Sequence, residues 1–145
     1  MNREKRVLVV DDDDAIRSLV TTVLRRRGIE VDGVRNGAEA IPLLTGGRYL
    51  VLLLDLMMPG VNGWDVLDHL ETIARRPIII VLTAGSEPRK FKPDLVAGLV
   101  RKPFDIDLLV DTVVGCIASL DALDSAQRRH DSAIDVRDGR RDELN

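Results

Sequence analysis

With a single cysteine, Cys116, the chain can form no internal disulfide and no cysteine-based metal centre. It also lacks long apolar runs. The longest purely apolar stretch, 49–54, falls far short of the ~20 residues that a membrane-spanning helix needs. Neither sign of charge dominates: 21 Lys and Arg stand against 24 Asp and Glu, a net charge of −3. That balance gives no general attraction to nucleic acid or to an anionic membrane. The basic residues at 3, 5 and 6 lead into a short apolar run that ends in acids, which is not the pattern of a signal peptide. The expectation is a cytoplasmic protein with neither nucleic acid nor membrane as partner.

What is present suits one globular domain. The 145 residues are 45% hydrophobic and 31% charged, enough for a single sizeable core. Composition changes after Leu120: residues 124–145 are mostly Asp, Arg and Ser and cannot bury enough surface to offset their ordering entropy. The expected organisation is a domain over 1–120 and a polar, partly disordered tail over 121–145, with the last helix running a turn or two into it. No second domain, and so no DNA-binding or catalytic output, is expected after residue 120.

Short β-branched and leucine-rich runs alternate with helical patterns. Strands are predicted at 6–10, 31–34, 50–54, 78–82 and 96–100, the third being the most apolar and hence central. Asp13 or Asp14 can cap a first helix, whose apolar residues run from Ile16 to Leu24 and which Gly28 stops. A second helix over 38–44 contains Pro42, so it must be short, kinked or late to begin. Residues 64–73 carry a helical stripe, and Asp105 can cap a last helix that turns Ile106, Leu109, Val110, Val113, Val114 and Ile117 inward. Residues 84–95, with Pro88 and Pro93, leave room for a fourth helix of one or two turns at most. Five strands alternating with five helical slots predict an α/β protein with a doubly wound parallel sheet in the order 2-1-3-4-5.

The polar residues that end the strands are the most informative positions. Asp11 and Asp12 close the first run, Asp55 the third, Thr83 the fourth, and Lys102 follows the fifth. In a parallel sheet those ends lie side by side, at the edge where open α/β sheets bind ligands. Three carboxylates, a hydroxyl and an ammonium in one crevice suit a hard cation and a phosphoryl group.

Several segments together resemble the receiver domain of bacterial two-component response regulators, of the stand-alone, chemotaxis-regulator-like kind. They are Val-Leu-Val-Val-Asp-Asp-Asp at 7–13, Asn-Gly-Ala-Glu-Ala at 36–40, Leu-Leu-Asp-Leu-Met-Met-Pro-Gly at 53–60, Asn-Gly-Trp at 62–64, Pro-Ile-Ile-Ile-Val-Leu-Thr-Ala at 77–84 and Lys-Pro-Phe at 102–104. The resemblance covers 6 to about 118. It implies a flavodoxin-like fold, with Asp55 as acceptor of a phosphoryl group from a sensor histidine kinase or phosphotransfer protein. It further implies Mg²⁺ held by Asp12 directly, Asp11 through water, Asp55, and the backbone carbonyl of Met57. Lys102 would pair with phosphoryl oxygens, Thr83 would bond the group after transfer, and the Lys102–Pro103 peptide would be cis. Such a domain phosphorylates and dephosphorylates itself and switches contact with a downstream protein.

The chain departs from that pattern at two places. Leu99 stands where the family often has Tyr or Phe, a ring that moves inward with the threonine. The stretch from Thr83 to Lys102 is about one helical turn short. Gly85 and Met57 occupy positions that tune phosphoryl lifetime in the family. These departures keep an alternative in view: a degenerate receiver that binds partners without phosphorylation. A free-standing phosphohydrolase using Asp55 would need a second acid at position 57, where Met57 stands. Trp64 and Cys116 are expected to pack, and His69 to be an exposed helix residue away from the crevice.

Overall fold

The computed structural model describes residues 6–58, 60–84, 92 and 94–144; for Asp124 and 128–144 it describes the backbone only. Five strands form one parallel sheet: β1 (Arg6–Val10), β2 (Glu30–Val34), β3 (Val51–Asp55), β4 (Ile78–Thr83) and β5 (Val96–Arg101). Their order is β2-β1-β3-β4-β5, as the alternation of patterns predicts. Successive side chains on a strand face opposite ways, so the sheet feeds two cores. Leu8, Val10, Leu52 and Leu54 pack under α2 (Gly37–Thr45) and α3 (Gly63–Leu70). Val7, Val9, Val51 and Leu53 pack under α1 (Asp14–Arg26) and α4 (Ile106–Leu144). β3 is buried along its whole length, and β5 is half-exposed at the edge.

The helix ends follow from local chemistry. The Asp13 carboxylate accepts the N–H groups of Ala15 and Ile16 at the start of α1, and Gly28 turns the chain away at φ +79°. Asn36 caps α2 by accepting from the Glu39 N–H. α2 is short, nine residues, and holds Pro42 inside it. Asn62 and Asp65 cap α3 reciprocally, each side chain bonding the other's backbone N–H. α3 ends at Leu70, three residues before the predicted Ile73: the chain leaves through Glu71 and Thr72, and the Thr72 hydroxyl bonds the His69 carbonyl.

The last helix differs from its expectation. Its backbone continues to Leu144, well past a turn or two beyond Leu120. Residues 121–145 contain no proline and one glycine, Gly139, and their charges alternate in sign, so nothing in the backbone chemistry stops propagation. The predicted fourth helical slot at 84–95, with Gly85, Pro88 and Pro93, falls largely outside the described residues. Four helices are seen among those described. No helix among them is long and apolar enough to cross a membrane.

Candidate functional site

Register brings the polar strand ends together. Val10 lies beside Leu54 and Leu54 beside Val81, so Asp11, Asp55 and Thr83 emerge at neighbouring positions of the same edge. Thr83 pairs with Arg101, which delivers Lys102 to the site, and the Lys102 N–H donates to the Thr83 carbonyl at 2.6 Å. The Lys102–Pro103 peptide is cis.

Asp11 is wholly buried, Asp55 and Thr83 nearly so, and Asp12 is exposed at the mouth. Carboxylate oxygens of Asp11, Asp12 and Asp55 all lie within 4.8 Å of one another. The Lys102 ammonium donates to Asp11 Oδ2 at 2.9 Å and stands 3.6 Å from Asp55 Oδ2. The other Asp55 oxygen accepts the Met57 N–H at 3.1 Å, while the Met57 side chain projects into solvent.

The electrostatics follow from this crowding. Burial first, and the nearby Asp11 charge second, push the Asp55 carboxyl from 3.8 up to about 7, against the pull of Lys102 and the Met57 N–H. Burial opposes the Lys102 charge, but the bond to Asp11 and the Asp11, Asp55 and Asp12 carboxylates outweigh it and hold its pKa above the ordinary value. Lys102 is closer to Asp11 than to Asp55, so its charge offsets Asp11 more fully than Asp55.

That donor set fits Mg²⁺. Three carboxylates with mutually close oxygens, one at the solvent edge, supply hard oxygen ligands and leave room for the waters that Mg²⁺ retains. The chemistry available is cation binding beside a carboxylate whose oxygen is within reach of an ammonium, as anionic phosphoryl recognition requires.

Glycine secures the floor of the site. A Cβ at Gly63 would lie 2.4 Å from the Asp55 carbonyl oxygen and 2.5 Å from Leu56 Cα, so α3 can start against the end of β3 only with glycine there. The Gly63 N–H bonds the Leu56 carbonyl at 3.1 Å and fastens the two.

The remaining predicted residues lie away from the crevice. Trp64 is buried in the α2–α3 core, and Cys116 packs against the α1–α4 core. His69 is half-buried rather than exposed, with Nε2 3.0 Å from the Thr45 hydroxyl, because α2 and α3 pack side by side. Leu99, on β5, is 41% exposed. One participant escapes the motif reading: Arg17 of α1 donates to the Asp11 carbonyl at 2.8 Å. The only trace in the sequence is an Asp14–Arg17 pair at helical spacing.

Comparison with known proteins agrees with the geometry. The family described as response regulator receiver domain matches residues 7–114. Sporulation initiation phosphotransferase F of Bacillus subtilis is 31% identical over a 112-residue alignment that covers 75% of this chain and 90% of that protein. The chain spans 43% of the length of protein PetR of Rhodobacter capsulatus and 49% of the DNA-binding response regulator MtrA of Mycolicibacterium smegmatis. Among solved structures, a CheY-like receiver domain protein from Methanospirillum hungatei superposes with a TM-score of 0.72 at 30% identity, covering 81% of this chain and 97% of that one. The response regulator TrrA of Thermotoga maritima, solved with Mg²⁺-BeF, gives 0.67 at 35% identity over 77% of this chain and 98% of that one. TrrA is also known in complex with the histidine kinase ThkA.

Proposed function

The chain belongs to the response regulator receiver domain family, and from that premise we propose that it is a phosphoacceptor switch in two-component signalling, with Asp55 taking a phosphoryl group from the phosphohistidine of a sensor kinase or phosphotransfer protein. The observation that carries the reading is the grouping of Asp55 with Asp11, Asp12 and Lys102, carboxylate oxygens within 4.8 Å and the ammonium 3.6 Å from the acceptor.

The residues divide the work. An Asp55 oxygen attacks phosphorus in line, and the P–N bond to the donor imidazole breaks with its electron pair going to nitrogen, which takes up a proton from water. Lys102 supplies fixed positive charge to the phosphoryl oxygens. Thr83, at the end of β4, bonds the transferred group. In a separate hydrolytic step water attacks phosphorus, the acyl oxygen–phosphorus bond breaks with its electron pair going to Asp55, and inorganic phosphate and a proton leave a restored Asp55 carboxylate. Asp12, Asp55 and the Met57 carbonyl would hold Mg²⁺, with Asp11 acting through water; the ion supplies charge neutralisation for the clustered carboxylates and the phosphoryl oxygens. The phosphorylated domain then changes its contact with a downstream protein in the cytoplasm.

Leu99 favours a second reading at one point only, the output. A half-exposed leucine has no aromatic ring to swing inward, which suits a receiver that binds its partner independently of phosphorylation. Intact-mass measurement after incubation with Mg²⁺ and acetyl phosphate separates the two. A Mg²⁺-dependent gain of about 80 Da, absent in Asp55→Asn, is the expected result. If no adduct forms and beryllofluoride leaves Trp64 fluorescence unchanged, the phosphoacceptor reading fails and the phosphorylation-independent module replaces it.

A further inference from the structure

Asp11 is held from four sides. Its N–H donates to the Val34 carbonyl at 3.2 Å, its Oδ1 accepts the Asp13 N–H at 3.0 Å, and its Oδ2 accepts Lys102 at 2.9 Å. Arg17 supplies the fourth hold. One terminal nitrogen of its guanidinium donates to the Asp11 carbonyl at 2.8 Å, and the other is bonded to the Asp14 carboxylate. The Arg17 side chain is only 21% exposed, so this fork sits against the protein rather than in open solvent.

The Asp11 carbonyl belongs to the planar peptide that leads into Asp12. A rigid fork that fixes that carbonyl fixes the peptide plane, and with it the direction from which the Asp12 carboxylate reaches Asp55. A guanidinium holds a carbonyl and a carboxylate in one rigid plane, whereas an ammonium, with three rotatable donors on a flexible stem, fixes no plane.

The stem of Arg17 is placed as deliberately as its head. A Cβ on Gly33 of β2 would lie 3.2 Å from Arg17 Cγ and 3.3 Å from its Cδ. Gly33 has no left-handed backbone, so what it provides is room: the arginine lies flat over the strand because no side chain is beneath it.

We propose that Arg17 is a positioning residue for the divalent cation site, orienting the Asp11–Asp12 peptide so that the Asp12 carboxylate faces Asp55. The proposal rests on the cation-binding part of the function proposed above. Charge and geometry make opposite demands here, which is what makes it testable. A guanidinium near a cation site repels the cation, so loss of its charge alone tightens Mg²⁺ binding. Loss of the fork loosens it.

The experiment is calorimetric titration of the metal-free full chain with MgCl₂, for wild type, Asp12→Asn, Arg17→Gln, Arg17→Lys and Gly33→Ala. Arg17→Gln is expected to weaken Mg²⁺ binding ~10-fold, at the low end of the range for groups that orient a metal ligand. Arg17→Lys keeps the charge and recovers only part of that loss. Gly33→Ala keeps the guanidinium but lifts its stem, and weakens binding several-fold. Unchanged or tighter binding in Arg17→Gln, beside a wild type that binds and an Asp12→Asn that does not, overturns the positioning role and leaves the proposed function standing. A wild type that binds no Mg²⁺ refutes the function and this role together. Should Arg17→Gln lose cooperative unfolding, Gly33→Ala decides, and wild-type affinity in that variant overturns the role.

Discussion

Replacing Asp55 by asparagine should stabilise the metal-free protein, by an amount that depends on pH. Asparagine keeps an oxygen to accept the Met57 N–H, which Asp55 accepts at 3.1 Å, so the change removes charge and little else. The Asp55 carboxyl is raised from 3.8 to about 7, chiefly by burial and then by Asp11. A raised acid favours the folded state fully below its unfolded pKa, and that contribution is lost as pH climbs through the folded one. Wild-type stability relative to the variant should therefore fall between about pH 4 and pH 7, with a steepest slope of ~1.4 kcal/mol per pH unit. A shift of that size corresponds to at most about 4 kcal/mol. The pull of Lys102 is already contained in that shift, and the expected difference at pH 8 is ~2–4 kcal/mol. Urea unfolding in EDTA, followed by circular dichroism at several pH values, reads this as a midpoint shift of about 1–2 M for a domain of this size. Adding Mg²⁺ should return stability to wild type and much less to the variant, since only a ligand that binds the folded form stabilises it. Two stability curves that run parallel from pH 4 to pH 8 would refute the reasoning, because Asp55 would then ionise in the fold as freely as in the unfolded chain.

Lys102→Met should leave the fully buried Asp11 carboxylate without its ammonium and cost ~3–5 kcal/mol in EDTA, with much of the loss restored by Mg²⁺; equal losses with and without Mg²⁺ would contradict this. Tyr49, the sole tyrosine, is raised to about 12 by burial and by its 2.7 Å bond to Asp32, so its ultraviolet titration should begin well above pH 10. The stability it contributes is fully present below pH 10 and lost as pH rises through about 12, and Tyr49→Phe should cost about 1 kcal/mol at neutral pH. Gly63→Ala should destabilise by more than ~2 kcal/mol and weaken Mg²⁺ binding, because its Cβ would meet the backbone of Asp55 and Leu56. Gly115→Ala on α4, with nothing within 4 Å of the new Cβ, should instead raise thermal stability by ~0.5–1 kcal/mol.

What the sequence revealed, and what it hid, follows from which interactions leave a pattern. A buried parallel strand must be apolar on both faces, so a polar residue ending such a run marks the strand end, and Asp11, Asp55 and Thr83 were legible for that reason. Asp13 and Asp105 announce themselves as caps because a helix start leaves backbone donors unpaired. The Asn62–Asp65 box was not read: it has the three-residue spacing of a reciprocal cap, but it adjoins Pro59, Gly60 and Gly63, which read as loop. Arg17 was not legible, and neither was the packing role of Gly63 within its Asn-Gly-Trp segment. Each acts on backbone atoms, the Asp11 carbonyl and the Asp55–Leu56 peptide, and a backbone partner has no residue type to pair with. The length of the last helix was hidden for another reason. Composition speaks to burial, whereas propagation from an already packed helix adds one hydrogen bond per residue and leaves no apolar stripe to read.

The Lys102–Asp11 contact joins residues 91 positions apart in the chain. It requires β1 to be seated between β2 and β3, and β5 to be docked at the far edge of β4. Each parallel pairing closes a loop through a crossover, which costs chain entropy before any contact rewards it. Strands β1 and β3 alone bring the acids together without their ammonium, so docking of the edge strand β5 also relieves the repulsion among them. The ammonium therefore reaches the buried acids only where β5 is paired with β4, and any state of the chain with that edge strand undocked leaves those carboxylates without it.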